Sequence, residues 1–193
     1  YENQPGDFWG LKNRIEHMDV QQNSRASAPV SGKHSIMQLP FVTGLIALAN
    51  ILVYIILSFG GATEDAFYMA SRGAMYPEFL TINHQWWRLL TAMFLHFGVT
   101  HLMNNMVIFC CVGSRLEKYI GHWKMAVVYF AAGIGGGLLS YIMMLLSGNY
   151  AVSGGASGAV FGVIGGLLGV IIAMAIVIII YLTNDTIKVE EDV

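Results

Sequence analysis

The stretch GASGAVFGVIGGLLGVIIAMAIVIIIYL, residues 155–182, decides the fold class. Residues 157–182 carry no charge, and as one helix these 26 residues would measure about 39 Å, whereas the hydrocarbon core of a bilayer is about 30 Å thick. The stretch therefore predicts a membrane-spanning helix. At its start, Gly155, Ala156 and Gly158 flank Ser157 with groups too small to shield the hydroxyl. A membrane protein can present a nucleophile in this way.

The composition agrees with a chain that crosses a membrane several times. Of the 193 residues, 55% are hydrophobic and only 11% are charged, and the mean hydropathy is +0.59. A soluble domain of this length could not bury so much apolar surface. The net charge of -2 and the absence of basic clusters give no reason to expect a nucleic-acid partner. Cys110 and Cys111 are adjacent in an apolar run, so no disulfide scaffold is expected.

Four apolar stretches follow a polar N-terminal segment. Residues 1–39 are expected to form a cytoplasmic segment and linker, residues 40–182 a transmembrane domain, and residues 183–193 an acidic tail. Apolar residues at near-helical spacing before residue 20 are compatible with a short interfacial helix or with a small soluble module. The predicted spans are residues 41 to about 59, 89–112, 125–146 and 157–182.

The basic residues predict the orientation of the chain in the membrane. Arg14 and Arg25 precede the first span, and Arg115 and Lys118 join the second span to the third. The positive-inside rule therefore places both regions in the cytoplasm. The aromatic-rich connector of residues 60–87 then lies outside, and so does the turn before Ser157. The chain is expected in the cell membrane, in contact with the lipid bilayer, with a cytoplasmic N-terminus and tail.

Glycines in the last two spans predict how these helices pack. GxxxG spacing lets helix backbones approach closely because no side chain separates them. This pattern indicates tight helix packing and says little about function. The glycines concerned are Gly133 and Gly137 in the third span and Gly158, Gly162 and Gly166 in the fourth.

Three polar residues are expected to meet just below the outer surface. His101 and Asn105 are four residues apart, and therefore lie on one face of the second span. Since the second and fourth spans both run inward, Ser157 and His101 lie at similar depth. A serine at a helix N-terminus has free backbone N–H groups beside it, and these favour a developing oxyanion. The arrangement suits acyl transfer, with His101 and Asn105 as further donors.

Each of these residues also has a purely structural interpretation. Ser157 could be a helix N-cap, and His101 and Asn105 could form hydrogen bonds between helices. His96 is interpreted as a satisfied polar residue near the interface, and His84 and His122 as loop residues. The histidines lack the HExxH type of spacing, so neither a zinc site nor another metal site is predicted.

Taken together, these residues resemble the rhomboid family of intramembrane serine proteases over residues 41 to about 170. The resemblance implies an all-α membrane protein, a rhomboid-like polytopic bundle of six helices, of which four to five are represented here. It also implies that residues 89–97 belong to the family's first loop and that the second helix begins near Thr100. Four motifs carry the resemblance in order: Trp87-Arg88, His101-Leu102-Met103-Asn104-Asn105 as HxxxN, Glu117 to Gly121 as ExxxG, and Gly155-Ala156-Ser157-Gly158 as GxSG.

The resemblance implies a catalytic apparatus and a substrate class. Ser157 would attack the peptide bond, while His101, Asn105 and the backbone at Ser157 would hold the oxyanion. The substrates would be transmembrane helices of membrane proteins, cleaved without ATP, metal or another cofactor, and the oligomeric state stays open. Supporting roles fall on Gly155, Gly158, Trp87, Arg88 and Glu117.

One element of the family pattern is missing from the sequence. The general base of a rhomboid protease is a histidine in a HxxG motif on the sixth helix, and no histidine follows His122. We expect that residues are deleted between Gly166 and Ile171, with a break in the backbone there and residues 171–181 at the end of a separate helix. The alternative is a chain with four true spans.

Three classes of function fit the sequence to different degrees. The first is a rhomboid-type serine endopeptidase whose base lies on a helix missing from this chain. The second is a catalytically inactive rhomboid-like protein that binds transmembrane segments; the lost histidine favours it and the intact GxSG and HxxxN motifs oppose it. A channel or transporter has little support, because no span carries a charged pathway.

Overall fold

The computed structural model describes the backbone of residues 39–191 and the side chains of residues 39–181. The cytoplasmic segment and linker, with its short helix or soluble module, falls on residues 1–38 and lies outside the described residues. Residues 192 and 193 of the acidic tail lie outside them as well. The division of the chain into three parts therefore stays a prediction.

Within the described part of the chain, the regular structure is helical. The one exception there is an isolated antiparallel bridge between Met75 and Ser153. The elements are α1 (Phe41–Gly60), α2 (Ala66–Ser71), α3 (Pro77–Thr81), α4 (Arg88–Thr91), a 3₁₀ turn (Ala92–Phe94), α5 (Val99–Ile120), α6 (His122–Ser147) and α7 (Ser157–Glu191).

Three of these helices are long and apolar enough to cross a membrane. They are α1, α6 and residues Ser157–Tyr181 of α7. A fourth span is counted if Arg88–Phe94 and Val99–Ile120 together form one bent span. This confirms the predicted all-α membrane bundle. The protein is a multi-pass membrane protein.

The second predicted span, residues 89–112, is not one straight helix. Arg88–Phe94 and Val99–Ile120 meet at 91° across a four-residue break. Gly98 lies in this break with φ +82°, a backbone conformation that glycine adopts without strain. Since α5 begins at Val99, the expectation from the rhomboid resemblance, a second helix starting near Thr100, agrees with the structure.

The expected break between residues 166 and 171 is wrong. The backbone runs as one helix from Ser157 to Glu191, so residues 171–181 continue the helix that begins at Ser157. Neither proline nor charge interrupts residues 157–182, and in an apolar environment each backbone group is best satisfied within the helix. The three glycines at 165, 166 and 169 are tolerated for the same reason.

Close helix packing occurs at four of the five predicted glycines. The exception is Gly137, which faces Leu89 of α4, while its neighbour Gly136 contacts α7. A β carbon on Gly158 would lie 3.4 Å from the α carbon of Gly136 in α6, and one on Gly162 would overlap Ala132. On its other side α7 meets α5, where a β carbon on Gly166 would lie 3.0 Å from Leu116. The first half of α7 is therefore wedged between α5 and α6, and this fixes where Ser157 lies.

The far end of α5 anchors the start of α1. The buried carboxylate of Glu117 accepts hydrogen bonds from the backbone N–H groups of Val42 and Thr43, at 2.8 Å each, and from the Thr43 hydroxyl at 2.6 Å. His122 contacts the same carboxylate. Four residues on, Gly121 ends α5 with φ +86°. The Glu117–Gly121 motif thus joins α1, α5 and α6.

Candidate active site

Four hydrogen bonds hold the turn before Ser157 against residues 75–96. Met75 and Ser153 exchange two backbone hydrogen bonds of 2.8 Å, and the Gly155 N–H donates to the Ala92 carbonyl at 2.7 Å. The fourth bond runs from the Ala156 N–H to Nε2 of His96, at 3.3 Å. Because every bond joins this turn to residues 75–96, the position of the serine depends on that segment.

The imidazole of His101 lies against the backbone of Gly155. A β carbon on Gly155 would lie 2.7 Å from Cε1 and 2.8 Å from Nε2 of this ring, and Gly155 has φ +127°. Both the space and the backbone conformation therefore require glycine here. The structure thus places His101 against a residue that is only two positions before Ser157, although His101 and Ser157 are 56 positions apart in the sequence.

Asn105 lies one helical turn below His101 on α5 and is buried. Its Nδ2 donates to the His101 backbone carbonyl at 3.0 Å. A carboxamide carries two N–H donors, so this bond leaves one for another acceptor. The two polar residues of the HxxxN motif therefore lie on one face of α5, as the spacing predicted.

The start of α7 leaves backbone donors around Ser157. The first helical hydrogen bond runs from the Val160 N–H to the Ala156 carbonyl, at 2.9 Å. Ser157, Gly158 and Ala159 come before it and have no carbonyl one turn back within the helix. Their N–H groups, together with the positive end of the helix dipole, can stabilise an anion beside the serine.

A half-open cavity of about 200 Å³ lies beside the half-buried serine. Its walls come from the turn before Ser157, from residues 75–93 and from α6, and include Met75, Met93 and Gly136. Ser157 itself lines this cavity. The cavity is large enough for a small side chain or a few water molecules.

From the sequence, His96 is not predicted to belong to the site. The expectation of a satisfied residue near the interface is wrong: His96 is fully buried, and only its Nε2 has a hydrogen-bond partner among the described residues, while its Nδ1 has none. Its ring lies 5.2 Å from the ring of His101. One signal could have located it: a histidine in the otherwise apolar stretch Ala92–Phe97, five residues before His101.

Trp87 and Arg88 lie at the start of α4, where the Arg88 side chain holds the backbone of the preceding connector. The Arg88 guanidinium donates to the carbonyls of Ala70 and Ala74 at 2.7 and 2.8 Å and to Gln85 Oε1 at 2.6 Å. It also lies 4.1 Å from the ring centroid of Phe79. Arg88 therefore closes the loop whose other end, Met75, pairs with the turn before Ser157.

Glu117 lies away from this group of residues. Sixteen positions on α5 separate it from His101, which corresponds to about 24 Å along a helix. Its contacts hold the opposite end of the bundle. Of the residues singled out in the sequence, the structure groups Ser157, Gly155, Gly158, His101 and Asn105 and places Trp87, Arg88 and Glu117 in the surrounding framework. Within residues 39–181, no cluster of His, Cys, Asp and Glu could hold a metal ion.

Comparison with known proteins identifies the family. The family model described as the rhomboid domain matches residues 83–185, which is more than half of the chain. The rhomboid protease GluP of Bacillus subtilis (strain 168) is 32% identical over 141 residues, 73% of this chain and 25% of that protein.

Two further relatives share shorter segments. Rhomboid-like protease 3 of Toxoplasma gondii is 39% identical over 117 residues, 59% of this chain and 42% of that protein. RHOMBOID-like protein 2 of Arabidopsis thaliana is 39% identical over 87 residues, 45% of this chain and 26% of that protein. The matched part of the chain spans between 25% and 42% of the length of these relatives. The chain belongs to the rhomboid family, and it is a rhomboid-type intramembrane protease or an inactive relative of one.

Proposed function

We propose that this chain carries the nucleophile and the oxyanion site of an intramembrane serine endopeptidase. Its substrates are transmembrane helices of other membrane proteins. One observation carries the proposal: the His101 ring lies against Gly155, two residues before a serine that begins a helix. A serine that served only as an N-cap would not require an imidazole packed on the turn before it.

The residues of the site can divide the chemistry between them. Oγ of Ser157 attacks the carbonyl carbon of the substrate, a general base takes the hydroxyl proton, and the carbonyl electrons move onto the oxygen. The Ser157 N–H, His101 and Asn105 donate to this oxyanion. The base then gives its proton to the leaving amine as the C–N bond breaks, and water hydrolyses the acyl-enzyme in the same manner.

The general base is assigned to a histidine on a helix that these 193 residues do not contain. Among the described residues, His96 and His101 are the histidines near Ser157. His96 already accepts a backbone N–H, and His101 is assigned to the oxyanion. A further helix has room beside the serine, because Phe161 lies one turn below Ser157 on α7 with 72% of its surface exposed.

A catalytically inactive rhomboid-like protein that binds transmembrane segments is the second candidate. The observation that favours it is the absence of any histidine after His122 in the sequence. Such a protein would hold a transmembrane segment at the same cavity and leave it intact. Only the fate of a bound segment separates the two candidates.

The decisive experiment uses the full-length protein in lipid vesicles with a model transmembrane substrate. Cleavage that is lost in Ser157→Ala and retained in Ser58→Ala, which changes an exposed serine on α1, supports the protease. The inactive relative would instead crosslink to the same substrate without cutting it. A protein that neither cleaves the substrate nor crosslinks to it would contradict both candidates.

A further inference from the structure

His96 is a buried histidine that the proposed catalytic steps do not use. It lies in the break between the 3₁₀ turn and α5, with none of its surface exposed. A buried imidazole is retained at a cost unless it makes hydrogen bonds, because it leaves water for an apolar interior. Its position therefore calls for a role.

The hydrogen bond to Ala156 defines the state of the His96 ring. Nε2 accepts the Ala156 N–H at 3.3 Å, so this nitrogen carries no proton. The ring is then neutral and its proton is on Nδ1. A second proton on Nε2 would place two donors face to face and break this bond.

Ala156 is the residue on which the start of α7 depends. Its carbonyl accepts the first hydrogen bond of the helix, from the Val160 N–H at 2.9 Å, while its own N–H is satisfied by His96. Ala156 is fully buried, so water cannot replace that acceptor. The His96 imidazole also packs against His101, which is assigned to the oxyanion: their ring centroids are 5.2 Å apart, with 70° between the ring planes.

We propose that His96 is a positioning residue that sets the geometry between Ser157 and His101. One ring contacts both the residue before Ser157 and His101: through Nε2 it fixes the Gly155–Ala156 peptide, and through its face or edge it limits the rotation of the His101 ring. This role rests on the proposed function of Ser157 and His101. His96 itself touches no reacting atom.

Three variants separate the hydrogen bond from simple space filling. His96→Gln keeps an acceptor near the position of Nε2, whereas His96→Phe keeps the ring volume and removes the acceptor. His84→Asn changes an exposed histidine of the connector and serves as the control. Each is made in the 193-residue chain and in the full-length protein.

The first readout is independent of catalysis. In wild type, ¹⁵N NMR of the histidine side chains is expected to find His96 neutral with its proton on Nδ1. Hydrogen exchange of the Ala156 amide should rise on the order of 100-fold in His96→Phe and less than about 10-fold in His96→Gln, while amides within α1 keep their protection. A proton on Nε2, or equal exchange in both variants, would overturn the proposal.

The second readout is the kinetics of the full-length enzyme. His96→Phe is expected to lower kcat by on the order of 100-fold with little change in KM, and His96→Gln to recover most of that loss. A rise in KM alone would overturn the positioning role, as would equal loss in both variants. If wild type cleaves nothing, the proposed function fails while NMR and hydrogen exchange still decide the role of His96. If His96→Phe does not fold, the tautomer and the Gln variant still decide it.

Discussion

The His101 imidazole and the Gly155 backbone occupy adjoining space, such that a β carbon on Gly155 would lie 2.7 Å from Cε1 of the ring. This contact joins the start of α5 to the turn before α7. It is the feature that turns two short sequence motifs into one candidate site. Since Gly155 also has φ +127°, the contact makes a specific demand on the residue at this position.

Gly155→Ala should damage the site more than an ordinary glycine substitution. The new methyl group meets the His101 ring, and the backbone is held where L residues are strained, at a cost of about 1–3 kcal/mol. We expect loss of Ser157 labelling by a fluorophosphonate in the full-length protein, together with lower thermal stability. Gly135→Ala is the control, because no atom lies within 4 Å of its β carbon; it should label like wild type. Equal labelling of the two variants would contradict the contact.

Asn105→Ala tests the oxyanion assignment. Loss of one donor should lower kcat of the full-length enzyme by about 10-fold to 1,000-fold and leave substrate binding nearly unchanged, because the donor acts on charge that forms only in the transition state. The neighbouring Asn104 is exposed, so Asn104→Ala should have no effect. A variant at Asn105 that binds substrate weakly but keeps kcat would place this residue on a binding surface instead.

Gly162→Ala tests the packing that fixes the serine helix. The added methyl group overlaps Ala132 of α6, so we expect a loss of about 1–3 kcal/mol in the free energy of unfolding. The compensating change Ala132→Gly should recover much of this loss in the double variant, which a double-mutant cycle in detergent would measure. Strictly additive effects of the two substitutions would mean that the helices do not meet there.

The proposed orientation places the connector outside the cell and the α5–α6 turn inside. In a background without Cys110 and Cys111, a cysteine replacing Glu64 should react with an impermeant thiol reagent in intact cells. A cysteine replacing Lys118 should react only after the membrane is opened. The reverse pattern would put Ser157 at the cytoplasmic face.

Features of the fold and the site can be predicted when a local sequence pattern reports them. The membrane-spanning parts of α1, α6 and α7 follow from apolar runs that the sequence displays directly, and the His101–Asn105 face follows from helical spacing. The continuation of α7 through the acidic tail to Glu191 does not follow from such a run. The 91° bend before α5 lies inside the predicted span 89–112, where no proline marks it, and the positive φ of Gly98 is visible only in the structure. The buried bond between His96 and Ala156 joins residues 60 positions apart, and no periodic pattern reports such a contact.

The continuity of α7 shows a different limit. The absence of a histidine after His122, and an apolar stretch longer than one bilayer crossing needs, predict two helices joined across a deletion. Backbone hydrogen bonding instead follows the local sequence, and a stretch free of proline and charge stays helical whatever its origin. The sequence shows that no histidine follows His122, and the helix from Ser157 to Glu191 shows no break.

The central claim is that Ser157 is the nucleophile, and the site of covalent modification by a fluorophosphonate tests it most directly. Mass spectrometry of the labelled full-length protein should place the phosphonyl group on Ser157 and find none in Ser157→Ala. The 193-residue chain alone, without the base assigned to a further helix, should label far more slowly and cleave no transmembrane substrate. Labelling that persists in Ser157→Ala, or that falls on another serine, would contradict the account.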